Sequence, residues 1–424
     1  MRVMLPYGAS YLPFCWTERD RVRVVQAGPW NREQTEEGLV NAALDAPYGG
    51  VKLEQMARGK RSAVIITSDH TRPVPSRLTL PLLLARLREG APEIEITILV
   101  ATGCHRASTA AELLGKFGEE IVYRERIVQH DCDDGANLAP LCTLPSGGAL
   151  MVNRAIIETD LLIAEGFIEP HFFAGFSGGR KSVLPGVASR GAVMYNHNAG
   201  FIANEHARAG ELERNPIHRD MRYAADAAGL RFILNVILDG EKRVVAAYAG
   251  EPETAHAAGC EELARHAGFR CPKTPIAVTT NGGYPLDQNL YQCVKGLCTA
   301  QSVCEPGGVI VMAAACEDGH GGKEFYNVLR LAKSPAELHD RLLCVPPERT
   351  TPDQWQYQIL ARILCSHTVI FVTDCRLASV VADMHMLYAP DLERAMELAR
   401  RIKGKNAAVT VLPDGVSVFL RREE

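Results

Sequence analysis

Short runs of β-branched and aliphatic residues recur along the chain, and most end in glycine, proline or a polar cluster. They are AVIITS (63–68), EITILVATG (95–103), DLLIAEG (160–166), FILNVIL (232–238), PIAVTTNGG (275–283), GVIVMAA (308–314), TVIFVTD (368–374) and AAVTVLPDG (407–415). They are continuously hydrophobic rather than alternating, which is how strands buried on both faces read. Helical stretches lie between them, clearest in PSRLTLPLLLARLREG (75–90), TAAELLGKFGEE (109–120) and DLERAMELARRIKG (391–404). Strand and helix in alternation predict an α/β fold with mostly parallel sheets flanked by helices. At 424 residues the chain exceeds one ordinary domain. The stretch HAGFRCPKTP (266–275) carries glycine, lysine and two prolines, so the expected division is into residues 1–268 and 269–424, each α/β. A ligand is then expected in the crevice between two such domains, at the carboxyl ends of the strands.

Composition excludes several function classes. Lys plus Arg is 46 against 50 for Asp plus Glu, a net charge of -4, and no basic block appears, so no nucleic-acid partner is expected. The opening MRVMLPYGASYLPF lacks the apolar core of a signal peptide. The apolar run AIIETDLLIAEGFI is broken by Glu158, Asp160 and Glu165, so no membrane span is expected and the chain reads as cytoplasmic. The 13 cysteines form no C-x-x-C pair, which disfavours a zinc ribbon or a thioredoxin-type centre, and most of them are expected to be small buried apolar residues.

Ionisable residues collect just past the strand ends, where open α/β sheets bind ligands. AVIITS runs into Asp69, His70, Thr71 and Arg72; EITILVATG into Cys104, His105 and Arg106; DLLIAEG leads to His171. Individually each has an ordinary reading. Asp69 reads as a helix cap with Arg72 as its ion-pair partner, and either histidine as a hydrogen-bonded structural one. Together, two histidines within reach of one pocket suggest paired acid/base chemistry.

From His171 the chain reads HFFAGFSGGRKSVLPG (171–186), with Ser177, Gly178, Gly179, Arg180 and Lys181 in sequence. Glycines followed by two cations suggest phosphate. The pattern G-x-x-x-x-G-K-[ST] nevertheless fails, because Arg180 stands where its second glycine belongs, five on from Gly175. Lys181 reads as a surface lysine or as an anion-binding or covalent group. A poorly solvated lysine beside an arginine has a lowered pKa and is a better nucleophile. His197 has no second ligand at i+3 or i+4, so spacing alone does not mark it as a metal ligand. Gln292 and Lys295 share a face of a predicted helix, as a carboxylate grip or as a solvated face. Tyr291 and Trp355 read as pocket walls or as core. His320 in EDGHGG (317–322) stands at a similar strand end with no assigned role.

Taken in order, SDHTRPVPS (68–76), ATGCHR (101–106), FIEPHFFAGFSGGRKSVLPG (167–186), NHN around His197, TNGGYPLDQNLYQCVKG (280–296), DGHGG and PDQW (352–355) resemble the lactate racemase family and related 2-hydroxyacid racemases and epimerases. The resemblance spans nearly the whole chain. It implies a racemase interconverting D- and L-lactate by reversible hydride transfer to a nickel-pincer nucleotide, the nickel complex of pyridinium-3,5-bisthiocarboxylic acid mononucleotide. Lys181 resembles the residue anchoring that nucleotide, and His197 the one protein ligand to nickel, the cofactor supplying two sulfurs and a ring carbon. Asp69, His70, Thr71 and Arg72 are similar to the stretch that contacts the cofactor, with Arg72 also orienting substrate. His105 and His171 resemble the acid/base pair, and Gln292 and Lys295 the substrate-binding pair, with Tyr291 and Trp355 lining the site. The glycine loop would cradle the nucleotide, with backbone amides and Arg180 on its phosphate. Cofactor-synthesis proteins are implied as maturation partners, and a small 2-hydroxy acid as the substrate.

Elementary chemistry fits that implication. Removing the Cα proton of a 2-hydroxy carboxylate would put a carbanion beside an existing negative charge. Removing hydride gives a neutral ketone once a base takes the hydroxyl proton, but no side chain accepts hydride, so a cofactor must. Histidine suits the proton because its pKa lies near working pH. A longer or bulkier hydroxy acid, malate or a sugar acid stays open as substrate, as does a non-catalytic α/β protein binding a nucleotide. An NAD-dependent dehydrogenase is set aside, since no G-x-G-x-x-G follows any strand.

Overall fold

The computed structural model describes residues 1–30 and 33–421. The chain divides into two compact units. The first comprises residues 29–196 and 211–266; the second comprises residues 1–28, 197–210 and 267–424. The units are therefore not two consecutive stretches. The passage at 266/267 lies where the Gly- and Pro-bearing sequence suggested a boundary, but the first 28 residues and the short segment from His197 to Gly210 belong with the C-terminal part. The physical reason is strand pairing. Val22–Val24 adds in parallel to Val409–Leu412, which places the start of the chain at an edge of the second unit's sheet.

The first unit is built on a six-stranded sheet in the order Val244–Gly250, Leu230–Leu238, Leu161–Phe167, Ser62–Ser68, Glu95–Ala101, Arg126–Gln129. All neighbours are parallel except the edge strand Val244–Gly250, which runs antiparallel to Leu230–Leu238. From Ser62–Ser68 the chain moves outward to Glu95–Ala101 and Arg126–Gln129, then returns to pair Leu161–Phe167 on the other side. Strand order thus reverses between Ser62–Ser68 and Leu161–Phe167, and ligands bind at such a reversal, beyond the carboxyl ends of the strands. The second unit repeats the plan with a six-stranded parallel sheet ordered Leu387–Ala389, Thr368–Val372, Cys304–Ala313, Thr274–Thr280, Val409–Leu412, Val22–Val24. Its reversal lies between Thr274–Thr280 and Val409–Leu412.

Each unit has its own core. Ile65, Ile98, Ile163, Leu83, Leu87 and Phe232 are buried together in the first; Val278, Val311, Ile370, Ala395 and Val411 in the second. Every residue of Leu161–Phe167 is buried, which is why that run shows no alternation. Burying one such aliphatic side chain contributes about 1.5–3 kcal/mol. The strands read from the sequence all form, with ends shifted by a few residues. The expected helix over 109–120 is instead two, Ala110–Phe117 and Glu119–Arg124, because Gly118 adopts φ 83 and ends the first. The hairpin of Arg2–Tyr7 with Ser10–Cys15, and that of Leu138–Thr143 with Ala149–Asn153, were not legible as strands. Among the described residues, no helix is long and apolar enough to cross a membrane.

Candidate active site

In the first unit the strand Ser62–Ser68 delivers Asp69, which is 1% exposed. Its Oδ1 accepts from the Thr71 backbone N–H at 3.1 Å and the Thr71 hydroxyl at 2.6 Å, a turn that holds the carboxylate in place. Its Oδ2 lies 2.8 Å from Nδ1 of His105 at the end of the neighbouring strand. Burial by itself would raise the Asp69 pKa. The hydrogen bonds from His105 and Thr71, and the charges of His105 and Arg72, overcome it and hold the group at about 2. A carboxylate can only accept, so His105 carries its proton on Nδ1 and leaves Nε2 as the accepting atom. The His105 side chain is 49% exposed, unlike its partner.

His70 and Arg72 leave the same strand end. Nδ1 of His70 is 2.9 Å from the Ser108 hydroxyl, and Nε2 is 3.4 Å from Glu112. Glu112 closes the capping box of helix Ala110–Phe117 with Thr109 and is bridged twice by Arg106, at 2.6 and 2.8 Å. His70 is thereby tied into a helix terminus. Arg72 lines a cleft of about 1060 Å³ together with His70, Glu112 and Lys116. The Lys116 ammonium donates to the Arg72 carbonyl at 3.1 Å.

His171 is held differently. It lies in the two-residue strand Pro170–His171, paired with Gly175–Phe176. Its Nδ1 accepts from the Ala174 backbone N–H at 3.2 Å, so the neutral ring carries its proton on Nε2. That nitrogen lies 3.4 Å from Nζ of Lys181. Phe172 stacks on the ring and Phe173 meets it edge-on.

The glycine loop has a rigid frame. Gly178 has φ 81, and a Cβ there would come within 2.6 Å of Asn235 Oδ1 and 2.9 Å of the Phe167 carbonyl, so only glycine fits. Asn235, from the adjacent strand, accepts the Gly179 N–H at 2.8 Å. The Ser177 hydroxyl donates to the Phe167 carbonyl at 3.1 Å and accepts from the Glu169 N–H. Arg180 is 5% exposed. Its Nε donates to His218 Nδ1 at 2.9 Å, and its terminal nitrogens reach the carbonyls of Ala174 and Gly178 at 2.8 and 3.2 Å and lie 3.1 Å from His256 Nε2. Burial lowers the guanidinium to about 10. Burial and the Arg180 charge lower His218 to about 3 and hold His256 well below its ordinary value, so both rings are neutral. The structure therefore places Arg180 otherwise than expected for a phosphate contact: its donors are turned inward, where they fix the loop that presents Lys181. Ser177 is turned inward in the same way.

In the second unit His197 is 5% exposed and packs edge-on to Trp355, with ring centroids 5.1 Å apart. The next residue, Asn198, caps helix Ala199–Ala203 through the Phe201 N–H, and Gln358 donates to the Ala199 carbonyl at 2.8 Å. Trp355 and Gln358 share helix Gln354–Ser366. At this unit's reversal, the loop after Thr274–Thr280 ends at Asn289, whose side chain caps helix Leu290–Val303 by accepting from the Gln292 N–H. Tyr291, Gln292 and Lys295 are half-buried on that helix. The Tyr291 hydroxyl donates to Asp353 at 2.7 Å, and Gln356 donates to the Tyr291 carbonyl at 2.6 Å. The carbonyls of Gly319 and His320 accept the Leu290 and Tyr291 N–H groups, so the DGHGG loop serves the helix start through its backbone.

Residues 7–210 match the lactate racemase N-terminal domain, and residues 270–420 match the lactate racemase C-terminal domain. The chain belongs to the lactate racemase family. It is an isomerase, and two curated relatives carry the same name. The lactate racemase of Thermoanaerobacterium thermosaccharolyticum is 48% identical over 99% of both chains. That of Lactiplantibacillus plantarum is 49% identical over 94% of both. The structure of the lactate racemase apoprotein from T. thermosaccharolyticum superposes with a TM-score of 0.96, covering 100% of each chain. A Thermotoga maritima protein, 20% identical, superposes at 0.67 over 93% of this chain and 100% of its own, a likeness of fold alone.

Within the first unit, Asp69 meets His105 and His171 meets Lys181. Within the second, His197 meets Trp355, while Tyr291, Gln292 and Lys295 line one helix. Sequence reasoning took Asp69 for a cofactor contact and missed that it orients His105. It also missed Asp353, His218, His256 and Asn235. One signal was present: QWQYQ puts glutamines two apart in an otherwise apolar stretch, and Gln354, Gln356 and Gln358 are all buried.

Proposed function

We propose that the protein interconverts D- and L-lactate, with His105 and His171 handling the hydroxyl proton. The observation that carries this is the 2.8 Å contact between the buried Asp69 carboxylate and His105 Nδ1. It is supported by near full-length kinship to two proteins named lactate racemase. With Nδ1–H directed to Asp69, the neutral His105 ring can take a proton at Nε2, and the resulting imidazolium is stabilised by the carboxylate beneath it. His171 gives a proton from Nε2 as the imidazolium and returns to the neutral ring. One ring thus receives the hydroxyl proton of one enantiomer while the other returns a proton to the planar oxo acid, and the roles exchange for the opposite hand. Gln292 and Lys295, on one face of helix Leu290–Val303, would bind the carboxylate, and Arg72 would orient the substrate. Tyr291 and Trp355 would wall the substrate.

The residues present fit a nickel-pincer nucleotide. Among the described residues the single group of three metal-type side chains is Asp131, Cys132 and Asp133, and His197 is not in it. A metal at His197 therefore needs donors that are not protein, as this cofactor provides. Lys181, presented by the braced glycine loop, would anchor the nucleotide. When bound, the group supplies a hydride acceptor, which no side chain can. Thr71 and His70 would shape the surrounding wall, and cofactor-synthesis proteins would load the site.

The test is to produce the chain with and without cofactor-synthesis proteins, measure bound nickel, and follow optical rotation with lactate, malate and bulkier 2-hydroxy acids. Nickel near one per chain with lactate racemised fastest is expected. Loaded protein that leaves every hydroxy acid unchanged would refute the reading.

A further inference from the structure

Glu165 lies on Leu161–Phe167, a strand buried along its whole length, and is itself 2% exposed. A carboxyl group in such a place is costly unless its oxygens are satisfied. Three hydroxyls do this. Thr67 and Ser76 each lie 2.5 Å from Oε1, and the Thr79 hydroxyl bonds to Oε2. Their positions matter more than their number. Thr67 is on the strand two residues before Asp69, whereas Ser76 and Thr79 form the first turn of helix Ser76–Gly90. One side chain from a third element therefore grips both ends of the loop 69–75, which carries Asp69, His70, Thr71 and Arg72.

We infer that Glu165 is a positioning residue for the acid/base pair. Its carboxylate fixes the 69–75 loop at both ends, and so holds the Asp69 carboxylate against Nδ1 of His105. This rests on the reading of His105 given above. Asp69 can dictate the His105 tautomer only if its own backbone is held, and the hydroxyl grip on Glu165 is what holds it. A displacement of about 1 Å at such a contact can cost about 10²-fold in rate.

Two substitutions separate positioning from bulk stability. Glu165→Met keeps the length but removes both acceptors. Glu165→Gln keeps Oε1 for Thr67 and Ser76, and its amide can donate to the Thr79 hydroxyl, which in turn can donate to the Pro75 carbonyl already 3.2 Å away. The main readout is the ring tautomer of His105 in the full chain labelled with ¹⁵N-histidine, its signals assigned by their loss in His105→Asn. Wild type and Glu165→Gln should hold the Nδ1–H form. Glu165→Met should shift toward Nε2–H, and its kcat on lactate in the cofactor-loaded enzyme should fall about 10- to 100-fold while Glu165→Gln retains most activity. Should Glu165→Met fail to fold, Ser76→Ala removes one donor to Oε1 and should give a smaller shift in the same direction. A wild-type tautomer and wild-type kcat in folded Glu165→Met would overturn the inference, as would equal losses in the Gln and Met variants. If the loaded wild type does not racemise lactate but the tautomer still depends on Glu165, the functional reading fails and the positioning role stands.

Discussion

His105 directs its Nδ1–H to a buried carboxylate, whereas His171 directs its Nδ1 lone pair to a backbone amide. The two rings stand in the same unit, each just past the end of a parallel strand, yet their tautomers are opposite. Around His105 the support is a charge: Asp69, held at about 2, stabilises the ring when it gains a proton. Around His171 the support is a frame: a two-residue strand, two phenylalanines, and a glycine loop braced by Arg180, His218 and Asn235. If the two rings form the proposed acid/base pair, its members do not share an environment. The two neutral rings present unlike nitrogens: Nε2 of His105 is free to accept, whereas Nε2 of His171 carries the proton.

The largest expected effect treats the rings alike. His105→Ala and His171→Ala should each remove interconversion in both directions, by at least the 10²–10⁴-fold typical of positioned acid/base groups, as read by polarimetry on loaded enzyme. A single mutant near full activity would break the pairing. The next separates them. In Asp69→Asn the amide can donate to Nδ1 of His105 and force the proton to Nε2, so kcat should drop about 10²–10⁴-fold with the His171 tautomer unchanged in ¹⁵N spectra. Asn235→Ala works on the opposite side. It leaves the Gly179 N–H without its acceptor, which should cost about 1–3 kcal/mol in chemical denaturation and disturb His171 but not His105.

The smallest effect is in pH. Asp69 has a folded pKa below its ordinary value of 3.8, at about 2. Its contribution to stability is therefore fully present above about 4 and is lost as pH falls through 2. The shift corresponds to about 2 kcal/mol. Denaturation curves between pH 5 and 2 should show a steeper loss in wild type than in Asp69→Asn, which has no such group to protonate. Equal slopes would mean that the carboxylate is not held low by His105 and Thr71.

Much of this was legible in the sequence, and the reason differs between fold and site. Buried parallel strands announce themselves because both faces demand apolar residues, as in AVIITS and GVIVMAA, and catalytic groups follow them because loops begin at their ends. The second unit's claim on residues 1–28 and 197–210 was hidden, because Val22–Val24 is too short to stand out from loop sequence. At the site, His105, His171, Lys181 and His197 were legible as residue types in a familiar order. Their partners were not. Asp69 and His105 are 36 residues apart, Gly179 and Asn235 are 56 apart, and such pairings exist only after the strands have been ordered. Arg180 reads as an anion contact in the sequence because a guanidinium beside glycines suggests an outside anion. Only the fold shows neutral imidazoles and carbonyls closing around it.

The central claim is that the two histidines move the hydroxyl proton and leave the carbon-bound hydrogen to travel with its electrons. It is tested most directly by incubating the cofactor-loaded protein with L-lactate deuterated at the central carbon, in ordinary water, and measuring label in the D-lactate formed. The account predicts that the product keeps its deuterium. Product in which the label has been replaced by solvent hydrogen would contradict it, because a base would then have taken that hydrogen as a proton.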